Sequence, residues 1–307
     1  MMCNAHNLTP VTARKLLFGA FAAVLLLHSD LRAQVTIANL FNTGQTSSQG
    51  LTAGGSAVSF WSVTYASSNG GSSANTTFQG AAYAITASAV SASGYTPSTS
   101  TAEWIVAPGA STSSTTTSGS KYVNKGGNYL PGNGTGANEG LFVYTLAFNL
   151  TQTGLAVGAV ITAPVSIDMT IAADDGYTIY LNPLGYNASP TTAPSNYTNS
   201  IISIPQGQWG ATSQVIANTS NATFYNGVNY LAIVVDNTNG ISGSSSSTAW
   251  NETGLLDYNM SAWNGTTEIW ANGAAVVPVP EVGTWIPGLF GVLLAGYTQL
   301  RRRLKAA

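Results

Sequence analysis

Between residues 34 and 276 the apolar positions alternate with polar ones at a period of two, and no stretch sustains the 3.6-residue period of an amphipathic helix. The clearest runs, Val58–Tyr65, Ala82–Ala87, Phe142–Leu150, Val165–Ile171, Tyr177–Leu181 and Tyr230–Val235, are predicted strands. Val165, Ile167, Met169 and Ile171 fall on one face of their run, and Ser166, Asp168 and Thr170 fall on the other. That division buries one face and wets the other, as antiparallel sheets do. Asp174-Asp175-Gly176 is a turn signal, expected to join its neighbours as a hairpin, and Asn226-Gly227 is a second turn before a strand. Ser111–Ser120 and Gly240–Ser247 read as Ser/Thr/Gly-rich loops. The pattern predicts an all-β body over residues 34–276, built as a β-sandwich.

Both ends break the alternation. Arg14 and Lys15 precede an unbroken apolar stretch, Leu16 to Leu27, and Leu31-Arg32-Ala33 offers a small residue before Gln34. Residues 1–33 therefore read as a signal helix removed by signal peptidase. An N-terminal anchor is the competing reading, although the apolar run is short for a span. At the other end, residues 277–307 hold a Pro-rich spacer, an expected transmembrane helix over 285–300 and the cluster Arg301-Arg302-Arg303-Leu304-Lys305. Fifteen apolar residues make only about 23 Å of helix against a hydrocarbon core of about 30 Å. So short a span suits a transient stop better than a permanent anchor, and the terminal cations would keep the tail cytoplasmic.

Charge narrows the chemistry. Only 7% of the 307 residues are charged, against about a quarter in ordinary soluble domains. Most cations lie at the ends: between residues 34 and 280 Lys121 and Lys125 face nine acids, a net charge of −7. Nucleic acid is excluded as a partner on that balance. Cys3, His6 and His28 all precede residue 34, so the body has no Cys or His for a nucleophile–base pair, a zinc site or a disulfide.

The tail resembles a known signal. Val277-Pro278-Val279-Pro280-Glu281, the short apolar helix and the terminal arginines look like the PEP-CTERM sorting tail of Gram-negative bacteria, with Val282 where a second Pro usually follows Glu. The resemblance implies that Pro278, Pro280, Glu281, Arg301, Arg302 and Arg303 are read by an exosortase-type sorting enzyme. It further implies loss of the tail and delivery to the cell surface or extracellular matrix after a transient inner-membrane stage. A second resemblance covers about residues 140–262. Ala172-Ala173-Asp174-Asp175-Gly176-Tyr177 through Tyr180-Leu181-Asn182, and Asn226-Gly227-Val228-Asn229 before an apolar strand, are similar to galactose-binding-like jelly rolls. Pro183 stands where those proteins usually have Gly. This resemblance implies a jelly-roll β-sandwich and is weak for activity, since one sandwich hosts many functions.

Asp174, Asp175 and Asp236 are the candidate metal ligands. Adjacent carboxylates repel unless a cation or donors intervene, and oxygen clusters suit calcium. A consecutive Asp-Asp before Gly also resembles the calcium-bridged sugar site of flocculin-type lectin domains. The more ordinary outcome is a solvated turn in which Asp caps its own backbone. Calcium is the one cofactor this pattern suggests. Of Trp61, Trp104, Trp209, Trp250, Trp263 and Trp270, most are expected in the core, and Trp250, after a Ser-rich loop, is the candidate for ligand stacking. These readings converge on a non-catalytic exported surface or matrix protein associating with exopolysaccharide. A carboxylate-dependent glycan-cleaving enzyme and a purely structural coat protein are the alternatives.

Overall fold

The computed structural model describes residues 34–66, 79–85, 98–108, 141–174, 176–184, 197–204, 211–236 and 254–276. Thirteen strands fall within them: β1 (Val35–Ala38), β2 (Ala57–Ala66), β3 (Gly80–Ala84), β4 (Ile105–Val106), β5 (Leu141–Gln152), β6 (Val165–Asp174), β7 (Gly176–Leu184), β8 (Thr198–Ile204), β9 (Ser213–Asn218), β10 (Gly227–Asp236), β11 (Gly254–Asn264), β12 (Thr267–Ala271) and β13 (Ala274–Ala275). The described residues are all-β, every strand pairing is antiparallel, and the strands lie within one compact unit, Met1–Ala275.

The pairings divide into two layers. One runs β8-β7-β10-β5, with β1 and β2 sharing the other edge of β5 end to end. The other runs β9-β6-β11-β12-β13. Strands β3 and β4 link β2 to β11 along one side. Inward residues of both layers meet in a single buried cluster, with Ile167, Met169, Ile171 and Met260 from one and Tyr144, Leu146, Phe148, Ile179 and Ile233 from the other. Such an arrangement is of β-sandwich type.

All six predicted strands form, with ends shifted by at most three residues. Val165, Ile167, Met169 and Ile171 are buried and Ser166, Asp168 and Thr170 half-exposed, as the alternation requires. The expected hairpin at Asp174-Asp175-Gly176 does not form. β6 pairs with β9 and β11, and β7 pairs with β8 and β10, so the chain crosses there from one layer to the other. Both flanking strands carry an apolar face. Setting them in opposite layers lets both faces enter one core, whereas a hairpin would place them side by side.

Leu40–Gln45, in the irregular stretch between β1 and β2, is buried because its polar atoms find partners. The indole N–H groups of Trp61 and Trp270 donate to the carbonyls of Phe41 and Leu40, and Phe41 stacks on Phe60 with ring centroids 3.8 Å apart. Asn42 Oδ1 accepts from the Met260 N–H at 2.8 Å, and Gln45 Nε2 donates to the Asn272 carbonyl at 2.6 Å. Asn272-Gly273 turns β12 into β13 with φ of 47° and 86°, both in the left-handed region that a two-residue hairpin turn requires. A methyl group on Gly273 would lie 2.7 Å from Gln45 Oε1 and 2.8 Å from the Phe41 ring. Gly273→Ala should therefore cost about 2–3 kcal/mol in chemical denaturation, because both the strained φ and the clash act on a pinned segment.

Candidate functional site

Asp174 is the last residue of β6 and pairs with Gly254, while Asp236 ends β10 opposite Gly176. Register alone thus brings the Asp-Asp-Gly crossing and the end of β10 to one end of the fold. Asp236 is half-buried and engaged in an interaction there. Calcium takes six to eight oxygens. Among the described residues no three His, Cys, Asp or Glu side chains gather. Asp175 lies outside the described residues, as do Trp250, Pro278, Pro280, Glu281, Arg301, Arg302, Arg303, the signal segment and the expected helix over 285–300. No helix among the described residues is long and apolar enough to cross a membrane.

The asparagines of the jelly-roll-like motifs hold loops together. Asn229 is fully buried; its Oδ1 accepts from the Tyr225 N–H and from Asn182 Nδ2, both at 2.8 Å, and its Nδ2 donates to the carbonyls of Tyr225 and Gly227 at 2.8 and 2.9 Å. Asn182, with φ of 47°, also donates to the Thr223 carbonyl and accepts from the Tyr230 N–H. Asn226 accepts from the Gln152 N–H at 2.9 Å and donates to the Leu155 carbonyl at 2.6 Å. Every one of these bonds satisfies main chain or another asparagine, which gives the motif a structural role in this fold.

Sequence reading passed over a carboxyl group inside the sandwich. Asp257 on β11 pairs with Ile171, which in turn pairs with Ser213, so all three project into the interior. Asp257 has no exposed surface, and neither carboxylate oxygen has a hydrogen-bond partner. Burial holds its pKa well above the ordinary 3.8, against a smaller downward pull from the main chain of Thr170 that falls short of a hydrogen bond. Tyr177, from the opposite layer, is raised by burial, lowered by the Ser213 hydroxyl and raised again by the charge of Asp257. Its hydroxyl is likewise buried without a hydrogen-bond partner. Glu103, half-buried beside the Leu40–Gln45 segment, is pushed up to about 7 by burial. No sequence signal marked Asp257, since Leu255 and Leu256 before it leave its inward position ambiguous by two-residue periodicity.

The tryptophans separate by environment. Trp61, Trp104 and Trp270 are buried, as expected of most, whereas Trp263 is half-exposed. Trp209 lies outside the described residues. Trp263 sits on the outward face of β11, where its Nε1 donates to Ser261 Oγ at 3.1 Å. Beside it on β6 lie Ser166 and Asp168, opposite Trp263 and Ser261 respectively. Burial raises the Asp168 pKa above 3.8.

No family model and no curated protein matches the sequence. Among solved structures, a chain from the structure of infectious bursal disease virus Gx strain is 15% identical, covering 78% of this chain and 57% of that one, with a TM-score of 0.15. The chain thus spans less than two thirds of that viral chain, and so slight a likeness carries no argument about fold or function.

Proposed function

We propose that the chain is a non-catalytic exported β-sandwich protein of the cell surface or extracellular matrix, with a body of jelly-roll type that associates with polysaccharide. Sorting would run through signal peptidase at the N-terminus and an exosortase-type enzyme acting on the Pro278–Glu281 spacer and the terminal arginines. The observation that carries the binding half is the register that sets Asp174 opposite Gly254 and Asp236 opposite Gly176. It puts the strand ends that bear Asp174 and Asp236 on one end of the fold. In the calcium form of the proposal Asp174, Asp175 and Asp236 would hold the ion.

Three of the described acids, Asp257, Asp168 and Glu268, are not arranged side by side. Asp257 is sealed in the interior. Asp168 and Glu268 share an outward face, but β11 runs between them and they sit two residues out of step along it. Their main chains are then about 12 Å apart by ordinary sheet spacings. The two carboxyl groups of glycosidases stand roughly 5–9.5 Å apart.

A glycan array probed with the full-length chain, with and without EDTA, tests the binding half. Retention on polysaccharide or oligosaccharide spots is expected, and its loss in EDTA and in Asp236→Asn would support the calcium form. A blank array would sink the association. Mass spectrometry of protein extracted from the cell surface tests the sorting half and should find both ends trimmed. An intact chain in the cytosol would overturn it.

A further inference from the structure

The outward face of β9-β6-β11-β12 carries an ordered set of side chains. The strand register places Asn218, Ser166, Trp263 and Glu268 in one row across the four strands. The next row is Ile216, Asp168, Ser261 and Ala271, and the third is Gln214, Thr170 and Tyr258. All are half-exposed or exposed, while their neighbours along the same strands, Ile167, Met169, Val215, Ala217, Met260 and Ala262, are buried. Two large aromatic residues therefore frame a patch of hydroxyl, amide and carboxylate groups along β11.

Trp263 is held for stacking. Its indole N–H, the only polar group of the side chain, is spent on Ser261 within the face, so what it offers a partner is ring surface. At the other end Tyr258 leans on the small cluster of Ile85, Trp104 and Leu256. Between them Asp168 supplies an acceptor, and Ser166, Ser261, Thr170 and Gln214 supply groups that donate and accept.

The chemistry of the face selects among partners. No Lys, Arg or His occurs among the described residues, so an anionic chain finds no counter-charge among them. An apolar protein surface would bury Asp168 and the surrounding hydroxyls without partners, at a cost for each group. A neutral chain of sugars fits both halves: its apolar ring faces suit Trp263 and Tyr258, and its hydroxyls suit Asp168 and Ser261.

We propose that this face binds a neutral polysaccharide, with Trp263 and Tyr258 stacking on sugar rings and Asp168, Ser261 and Thr170 bonding their hydroxyls. The inference rests on the polysaccharide reading above but places the contact on a different surface, independent of Asp174, Asp175 and Asp236.

Native electrophoresis of the full-length chain through gels containing dextran, xylan, hydroxyethylcellulose or alginate tests it. Retardation by at least one neutral polymer is expected, with alginate inert. Trp263→Ala should weaken that retardation by about tenfold or more, as loss of a central aromatic contact does. Trp263→Tyr, which keeps a stacking ring, should retain most of it, and Asp168→Asn should weaken it. If Trp263→Ala and Asp168→Asn both migrate like the parent chain in a retarding gel, the face is wrong while polysaccharide association stands. Preferential retardation by alginate overturns the neutral class. No retardation of the parent chain in any gel overturns the association itself and the face with it. Loss of retardation in Trp263→Ala and Trp263→Tyr alike, with Asp168→Asn unaffected, counts against stacking and overturns the proposal.

Discussion

Thermal melting of the full-length chain should be highest in mild acid and should fall as the pH rises above about 4, and Asp257→Asn should flatten that fall. Asp257 ionises in the unfolded chain near its ordinary 3.8 but resists ionisation when folded, because burial raises its pKa. Its contribution is therefore complete below about pH 4 and is lost as the pH climbs toward the folded value. Each kcal/mol so lost lowers the melting temperature by roughly 2–4 °C in a domain of this size. Glu103, raised from 4.5 to about 7, acts in the same direction, but its exposure to solvent screens the effect. Glu103→Gln should then remove a smaller part of the slope. At pH 8 Asp257→Asn should melt several degrees above the parent chain. A variant that melts lower there and keeps the parent slope would mean that the carboxylate is ionised and paired in the fold.

Asn229→Ala should be among the most damaging single substitutions in the body, lowering stability by about 3 kcal/mol. The side chain is fully buried and makes four hydrogen bonds, two to main-chain carbonyls and two from donors. Removing it takes their partner from the carbonyls of Tyr225 and Gly227 and from the Tyr225 N–H, all partly buried, while Asn182 Nδ2 keeps its bond to the Thr223 carbonyl. Each buried group so orphaned costs about 1–3 kcal/mol, less whatever relaxation recovers. Urea denaturation at fixed pH measures the loss. Asn229→Asp makes the sharper comparison, because it keeps the acceptor and loses only the donations to Tyr225 and Gly227. It should fall below the parent chain, with part of its deficit recovered in acid. A loss under 0.5 kcal/mol in Asn229→Ala would show that water replaces the side chain, against the burial on which the prediction rests.

The motif asparagines show why some positions were legible and others were not. Asn226-Gly227 was readable as a turn because Asn and Gly tolerate left-handed backbone wherever they occur, a local property. That Asn229 two residues later would bond Asn182 and Tyr225 was not, since one partner lies 47 residues away in sequence. Strands such as Leu141–Gln152 and Gly227–Asp236 announced themselves through long apolar stretches. Ser213–Asn218 and Thr267–Ala271 did not, being short and mostly polar outside two inward positions each. Asp174 and Asp236 were picked for their chemistry, and their common end of the fold follows from pairings to β11 and β7. Trp263 differs from Trp270 in nothing local. A bulge between Ala262 and Trp263 and the pairing with β12 send one ring outward and the other inward.

By itself the sequence determined the class of fold and the chemistry within reach. Two-residue alternation can be buried only by sheets, and a body lacking histidine, cysteine and nearly all cations is confined to carboxylates, hydroxyls, amides and aromatic rings. Tertiary structure alone decided that the Asp-Asp-Gly turn carries the chain across the core instead of folding a hairpin, that Asp257 lies in the interior, and that Trp263, Asp168 and Tyr258 share one wet face. The physical reason is that a turn fixes only the direction of the chain. Which strands then lie side by side is set by how all the apolar faces can be covered together, and that is a property of the whole set of strands.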